Sequence, residues 1–401
     1  MTSGIGSVWR TCVTAVWEEW RAIVSDKGAT TVIVAGALAY ALLYPLPFVR
    51  QLARDIPIVV VDQDRTAMSR QLTRMVDATE QVDVATSVNS TMEGEASVRT
   101  QRTRGAMVIP VGFEQSVLRA ERTIVGVYGD ASYLMVYNQV ATGIAQSVAT
   151  MSAGVELRRL QASGFTPAAA LVTRDPLPIS VRALYNPSGG YGNTNVPAVL
   201  ILILQQTLLI GIGSLAGVRR ERGTAMHAEV VEGGLLHRAA GILGAGVAYV
   251  AIYFVHLMLF FGVVYRIYDL PQRGSMLAAA LFLVPFLFAV AFLGLAISRL
   301  FRARESAMLV LLFSSLPAMF ISGFSFPPEA MPAWTTALAQ LLPSTHGIDG
   351  AVRVLQMGAS LADVLPMSLA LWGLAGAYFV LAIVTLRPEK KAHGANGPAH
   401  A

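Results

Sequence analysis

Five stretches of the 401-residue chain, at about 196–218, 239–265, 276–297, 307–324 and 364–386, contain no Asp, Glu, Lys or Arg. Each is close to the roughly 20 residues that a helix rising 1.5 Å per residue needs to cross about 30 Å of hydrocarbon. Lipid offers a backbone amide no water to bond, so uncharged runs of this length are stable only as helices that satisfy their own amides. A bundle embedded in a bilayer is therefore the expected core. The 54% hydrophobic and 14% charged residues depart from the soluble balance of about 45–50% and 25% in the direction this requires, which argues against a soluble enzyme. The single cysteine, Cys12, excludes an intrachain disulfide framework and a cysteine-rich zinc site.

Ahead of these segments, residues 7–27 place Trp9, Val13, Val16, Trp17, Trp20 and Val24 at helical spacing, with Arg10, Glu18, Glu19 and Arg21 on other faces. The pattern predicts an amphipathic helix along a membrane surface with its tryptophans at headgroup depth. Residues 30–48 form a further apolar segment that ends near Pro45 and Pro47. The arm before it is long and partly acidic and no small-x-small cleavage site follows, so it reads as a retained first span rather than a signal peptide. Six spans are expected.

Between the first two spans the chain turns polar for about 145 residues. Strand patterns at 56–61, 82–86, 106–110 and 123–128 alternate with helical patterns at 66–78, 92–102 and 113–119, which predicts a small α/β layer with a mixed sheet. A long helix at 133–163 and a possible strand at 179–184 follow. Asp62 and Asp64, between a strand and a helix, read as turn or cap residues rather than metal ligands.

Basic residues set the orientation. With the N-terminus inside, Arg10, Arg21, Lys27, Arg219, Arg220, Arg222, Arg238, Arg299, Arg302, Arg304, Arg387, Lys390 and Lys391 lie on the inner side, against Arg266, Arg273 and Arg353 on the other. Both termini are thus expected in the cytoplasm and the α/β insertion outside. The expected fold is a mainly α membrane protein. Its parts are a cytoplasmic interfacial helix at 1–28, a first transmembrane helix at 29–49 and an extracytoplasmic α/β domain at 50–195. A five-helix transmembrane domain at 196–386, with outer re-entrant helices at about 325–360, and a cytoplasmic tail at 387–401 complete it.

The joint after the second span contains Arg219-Arg220-Glu221-Arg222-Gly223-Thr224, then His227 and Glu229. Glycine tolerates the left-handed angles that end a helix, and a threonine hydroxyl can cap the next. Arg-Glu-Arg-Gly-Thr at this place resembles the signature of ABC type-2 exporter permeases. The resemblance implies that Arg220, Glu221, Arg222, Gly223, Thr224, His227 and Glu229 belong to the surface that touches an ATPase subunit. A second stretch carries Gly323, Phe324, Pro327, Met331, Pro332 and Pro343, and looks like that family's outer-side turn, where two short helices dip back into the bilayer. A third, Tyr185-Asn186-Pro187, is similar to the entry motif of the subgroup with a large outer domain.

The chain has no G-x-x-x-x-G-K-[ST] loop, and its only lysines, Lys27, Lys390 and Lys391, are not placed to reach a phosphate. It is therefore expected to be no enzyme and to carry no cofactor, with ATP and Mg on a separate ABC ATPase subunit. The resemblance further implies a second permease copy or a sister permease, contact with membrane lipid, an optional periplasmic adaptor in a bacterial inner membrane, and no nucleic acid. Gln205, Gln206 and Thr207 in the second span and His256 in the third are polar groups in hydrocarbon, which must face protein or water. Helix-to-helix hydrogen bonding and contact with a substrate are both open for them. The absence of charge in the spans suits a hydrophobic or amphiphilic cargo, drug-like or lipid-like. The alternatives are a surface receptor or adaptor acting through the outer domain and, on Ser344, His346 and Asp349, a membrane hydrolase.

Overall fold

A computed structural model of the chain describes residues 2–187, 189–223 and 234–386. The chain divides into two compact units, one formed by residues up to Gln51 and from Ala183 onward, the other by Leu52–Arg182.

Among the described residues of the first unit, six helices are long and apolar enough to cross a membrane: Lys27–Phe48, Tyr191–Glu221, Gly234–Ile267, Met276–Leu300, Arg304–Ile321 and Leu365–Thr385. We number them spans one to six. The fourth is apolar on every side, the mark of a helix surrounded by protein, and packs on the second, third and sixth. Within the most apolar window of each span, 83% of the second is buried, against 17% of the fifth and of the sixth. The second span is thus a core element, whereas the fifth and sixth turn most of their apolar surface outward. Glycines set the closest approaches. A Cβ on Gly217 would stand 2.5 Å from the backbone of Ala303 and Arg304, so only glycine lets the second span reach the start of the fifth.

The expected N-terminal helix runs Thr2–Ser25 and packs on the third span. Trp9, Trp17, Trp20 and Val24 are exposed on this helix. The third span receives the helix on its run of small residues, where Gly244 leaves room for the Cys12 carbonyl and the Ala15 methyl. Between the fifth and sixth spans stand the two expected short helices, Ala333–Ala339 and Pro343–Val352. The latter continues in π geometry over Arg353–Met357 and ends at Gly358, whose φ of +74° favours glycine. We call Pro343–Met357 the half-helix; Gly347 and Gly350 seat it on Phe286 and Phe282 of the fourth span.

The second unit is an α/β layer. Its strands β1 (Ile56–Asp62), β2 (Val82–Val88), β3 (Gly105–Ile109) and β4 (Gly126–Gly129) form a mixed sheet in the order β2-β1-β3-β4. β1 lies parallel to both neighbours, and β4 is antiparallel to β3. Helices Ala67–Asp77, Thr91–Arg99 and Phe113–Leu118 fall where the periodicity places them. The long helix Leu134–Ala162 buries Val140, Gly143, Ile144 and Ser147. Beyond them, Val148, Met151 and Val155 wall a cavity of about 320 Å³ with Leu72 and Phe113.

Two expectations need correction. The last strand starts at Gly126, not at residue 123. Residues 179–184 form no strand: Pro176 and Pro178 remove amide donors just ahead of them, and Ile179, Val181 and Leu184 are exposed.

Asp62 and Asp64 are turn residues, as their placement predicts. Asp62 accepts from the amides of Asp64 and Arg65, at 3.1 and 2.8 Å, and from the Ser69 hydroxyl at 2.7 Å. Asp64 accepts from the Thr66 hydroxyl at 2.6 Å and the Glu114 amide at 3.0 Å. Among the described residues no group of three or more His, Cys, Asp or Glu could hold a metal ion. Burial pushes the Asp64 carboxyl up. The Thr66 hydroxyl and the amides of Glu114, Gly112 and Phe113 push it down by more, so it titrates below its ordinary 3.8. The stabilisation this supplies is full above the unfolded value and is lost as pH falls through the lower folded one. Asp64→Asn should therefore flatten the acid-side loss of stability of the α/β unit below about pH 4, followed by hydrogen exchange of residues 56–118 across a pH series.

Candidate functional site

The end of the second span carries Arg219, Arg220 and Glu221 in its last turn, then Arg222, then Gly223 at φ +66°, the left-handed residue expected at this point. Each charged side chain reaches a different element. Arg219 grips Glu19 of the N-terminal helix with its two terminal guanidinium nitrogens, at 3.2 and 2.7 Å, and the Tyr249 hydroxyl of the third span donates to the same carboxylate at 2.5 Å. Arg220 donates to the Arg299 carbonyl at 2.8 Å, where the fourth span ends. Glu221 accepts from the Arg304 amide at 2.9 Å and so caps the first turn of the fifth span. Arg222 lies 3.9 Å from Asp26, which also bonds the Arg304 guanidinium. Gly28 keeps the space that this guanidinium fills.

Asp26 caps the first span by accepting from the Ala29 amide at 2.9 Å. Burial pushes its carboxyl up, but the Ala29 amide, the Arg304 hydrogen bond and the charges of Arg304 and Arg222 outweigh burial, so it titrates below its ordinary value. An ionised carboxylate therefore stands where three helix ends meet. Thr224, His227 and Glu229 lie outside the described residues.

Glu19 corrects the reading of the N-terminal helix. It does not share a polar face with Glu18 and Arg21, both exposed. It is fully buried, on the inward stripe of Ala15 and Ile23. Its partners come from the second and third spans, elements that a helical wheel of the arm alone cannot show.

Three of the four polar residues in mid-span, Gln205, Thr207 and His256, have hydrogen-bond partners within the bundle. Gln205 is buried and its side-chain carbonyl accepts from the Ser344 amide at 2.9 Å, capping the half-helix. Thr207 donates to Ile203 of its own helix at 2.6 Å. His256 stacks on Tyr253, with ring centroids 5.2 Å apart. Its ring nitrogens lie 3.0 Å from the Ile252 carbonyl and 3.4 Å from that of Val34, so it ties the third span to the first. Gln206 is buried, and its side-chain oxygen has no hydrogen-bond partner among the described residues.

At the opposite end of the bundle, Asn186 is the hub of a second polar knot. It bonds both the amide and the carbonyl of Gly190, at 3.1 and 2.9 Å, and accepts from the Asn193 side chain at 3.1 Å. Gln51, at the end of the first span, accepts from the Asn193 amide at 3.1 Å. Gln356 of the half-helix donates to the Asn193 carbonyl. Tyr185, at φ +64°, lies under the Arg273 guanidinium, 5.5 Å from its centre, and Pro187 is exposed.

In the turn after the fifth span, Gly323 adopts φ +87° and Phe324 packs on the bundle core. Pro327 precedes a short 3₁₀ turn that Met331 ends, Pro332 caps Ala333–Ala339, and Pro343 opens the half-helix. Ser344, His346 and Asp349 form no relay. Asp349 pairs with Arg353 at 2.8 Å, and the His346 ring faces the Gln340 carbonyl at 3.1 Å.

Asp26, Tyr249, Gln51, Asn193 and Gln356 carry much of this and were not singled out from the sequence, where Glu19 was read only as a polar-face residue and Arg304 only as an inner-side basic one. For Glu19 a signal existed: an acid spaced four residues from both Ala15 and Ile23 interrupts a second apolar stripe. Removing one partner of a buried ion pair leaves the other uncompensated, at a cost of about 3–5 kcal/mol, whereas apolar replacement of both can be neutral. Glu19→Leu should thus lower the thermal midpoint of the detergent-solubilised protein strongly. Glu19→Leu with Arg219→Leu should recover most of the loss in the same melt.

Compared with known proteins, residues 28–384 match the model of the ABC-2 family transporter protein family. The chain is similar to the inner membrane transport permease YhhJ of Escherichia coli K12, at 24% identity over 376 residues, covering 92% of this chain and 95% of that protein. It is also similar to the probable multidrug ABC transporter permease YbhS of the same organism, at 23% identity over 387 residues, covering 96% and 98%. With a family match over nearly its whole length and a bundle of six apolar helices beneath it, the chain belongs to the ABC-2 family of transporter permeases.

Proposed function

We propose that this chain is the membrane subunit of an ATP-driven exporter, working with a separate ABC ATPase and a second permease, either its own copy or a sister chain. Family membership over residues 28–384 carries the reading. The knot at the end of the second span supports it physically. Arg219, Arg220, Glu221 and Arg222 bond to the N-terminal helix and to the ends of the first, fourth and fifth spans, so a push on the adjoining 224–229 segment would reach each of those elements. ATP and Mg belong to the partner. The excess of basic residues at this end supports a cytoplasmic side for it and for both termini, with the α/β unit outside.

The stretches 196–218, 239–265, 276–297 and 307–324 along the spans carry no charge, and Gln205 and His256 are engaged in helix contacts, which suits a hydrophobic or amphiphilic cargo such as a drug or a lipid-like molecule. A periplasmic adaptor could receive that cargo at the α/β unit.

Purification of the native complex should bring down an ATPase with a phosphate-binding loop. Arg222 is 69% exposed on its side chain, so Arg222→Glu should weaken that association and lower ATP hydrolysis by the complex while membrane insertion is unchanged. Equal recovery of the ATPase would remove the docking role. With Cys12→Ser as background, Ser132→Cys on the exposed α/β surface should react with a membrane-impermeant thiol reagent in cells whose outer membrane alone is opened. Reaction only after the inner membrane is broken would reverse the orientation.

A further inference from the structure

The half-helix touches the second span through two side-chain hydrogen bonds with matched spacing. Gln356 donates to the Asn193 carbonyl, and Gln205 accepts from the Ser344 amide. Asn193 and Gln205 are 12 residues apart on one helix, and Ser344 and Gln356 are 12 residues apart on the other. Equal spacing with opposite order means that the two run antiparallel and in register over about 18 Å. The first turn of the half-helix therefore lies about 18 Å along the second span from Asn193, within the apolar bundle.

There a free amide has no water to turn to. Pro343 has no amide hydrogen and Ser344 is fully buried, so without Gln205 the Ser344 N–H would be left unsatisfied in an apolar interior. The bond cannot be exchanged for one to solvent, which makes it a stiff link. The other faces of the half-helix are seated by Gly347 and Gly350 on the fourth span, and the Leu355 carbonyl accepts from the amides of Arg273 and Gly274 at 2.8 and 3.0 Å.

We propose that the second span and the half-helix move as one body, with Gln205 as the pin, so that displacement at the Arg219–Gly223 end is carried to the opposite end of the bundle. Gln205 is then a positioning residue and not a contact for cargo. The inference rests on the ATP-driven reading above. It deepens that reading by naming the route from the ATPase joint to the far end of the pathway.

The test is hydrogen exchange of the full chain with its ATPase in lipid nanodiscs, with and without ATP plus vanadate. In the unaltered complex nucleotide should change exchange both at 209–223 and at 343–357. In Gln205→Met the change at 209–223 should remain, the change at 343–357 should vanish, and the Ser344 amide should exchange about five- to thirtyfold faster. Gln205→Glu, which keeps a side-chain oxygen acceptor at the same place, should keep the response at 343–357; a residue needed only to fill space would tolerate Met, of similar volume, without loss. The inference is overturned if Gln205→Met keeps the nucleotide response at 343–357, or if the unaltered complex responds at 209–223 alone. No response in either segment of the unaltered complex overturns the ATP-driven reading itself, and the inference with it.

Discussion

The carboxylate of Glu19 has no exposed surface, and a buried charge without partners costs several kcal/mol. It is held by two guanidinium nitrogens and a tyrosine hydroxyl drawn from two other helices. The N-terminal helix, the second span and the third span are therefore not free to separate one at a time: each leaves an unpaired buried group behind. Charge-assisted hydrogen bonds of this kind also fix direction, which apolar contact does not. The tight seat of Gly244 on the Cys12 carbonyl and the outward turn of Trp9 and Trp17 follow from this docking.

The second span extends the same logic along its length. At one end Arg220 and Glu221 satisfy a carbonyl and an amide at the termini of the fourth and fifth spans. In its middle Gln205 caps a helix that begins inside the bundle. At the other end the Asn193 amide and carbonyl serve Gln51 and Gln356. Helix termini expose unpaired backbone groups wherever they fall. In an apolar bundle those groups must be met by side chains, and this span supplies them to three neighbouring elements. Its low exposure is the geometric counterpart of that role.

The membrane class, the span count and the α/β alternation were legible in the sequence because each rests on short-range periodicity. The span count needs only lengths of uncharged chain, and the strands at 56–61 and 106–110 need only β-branched runs bounded by turns. Local chemistry was legible too: Gly223 and Gly323 stand at positive φ where a helix has to stop, and Asp62 and Asp64 serve as turn residues. The strand expected at 179–184 failed because apolar alternation does not make a strand where prolines remove donors and the chain stays exposed. Gln205 and His256 were recognisable as groups that must find partners, but the partners, Ser344 and Val34, lie 139 and 222 positions away.

By itself the sequence determined that the chain is a membrane bundle with an inserted α/β unit, because the cost of an unpaired amide or a charge in hydrocarbon is set by composition over some 20 residues. Only the tertiary structure decided which face of each helix is core and which partner answers each buried polar group. Glu19 and Glu18 are the same residue type one position apart, yet one is enclosed and the other exposed. That difference comes from Arg219 and Tyr249, brought there by packing across 200 and 230 residues of chain.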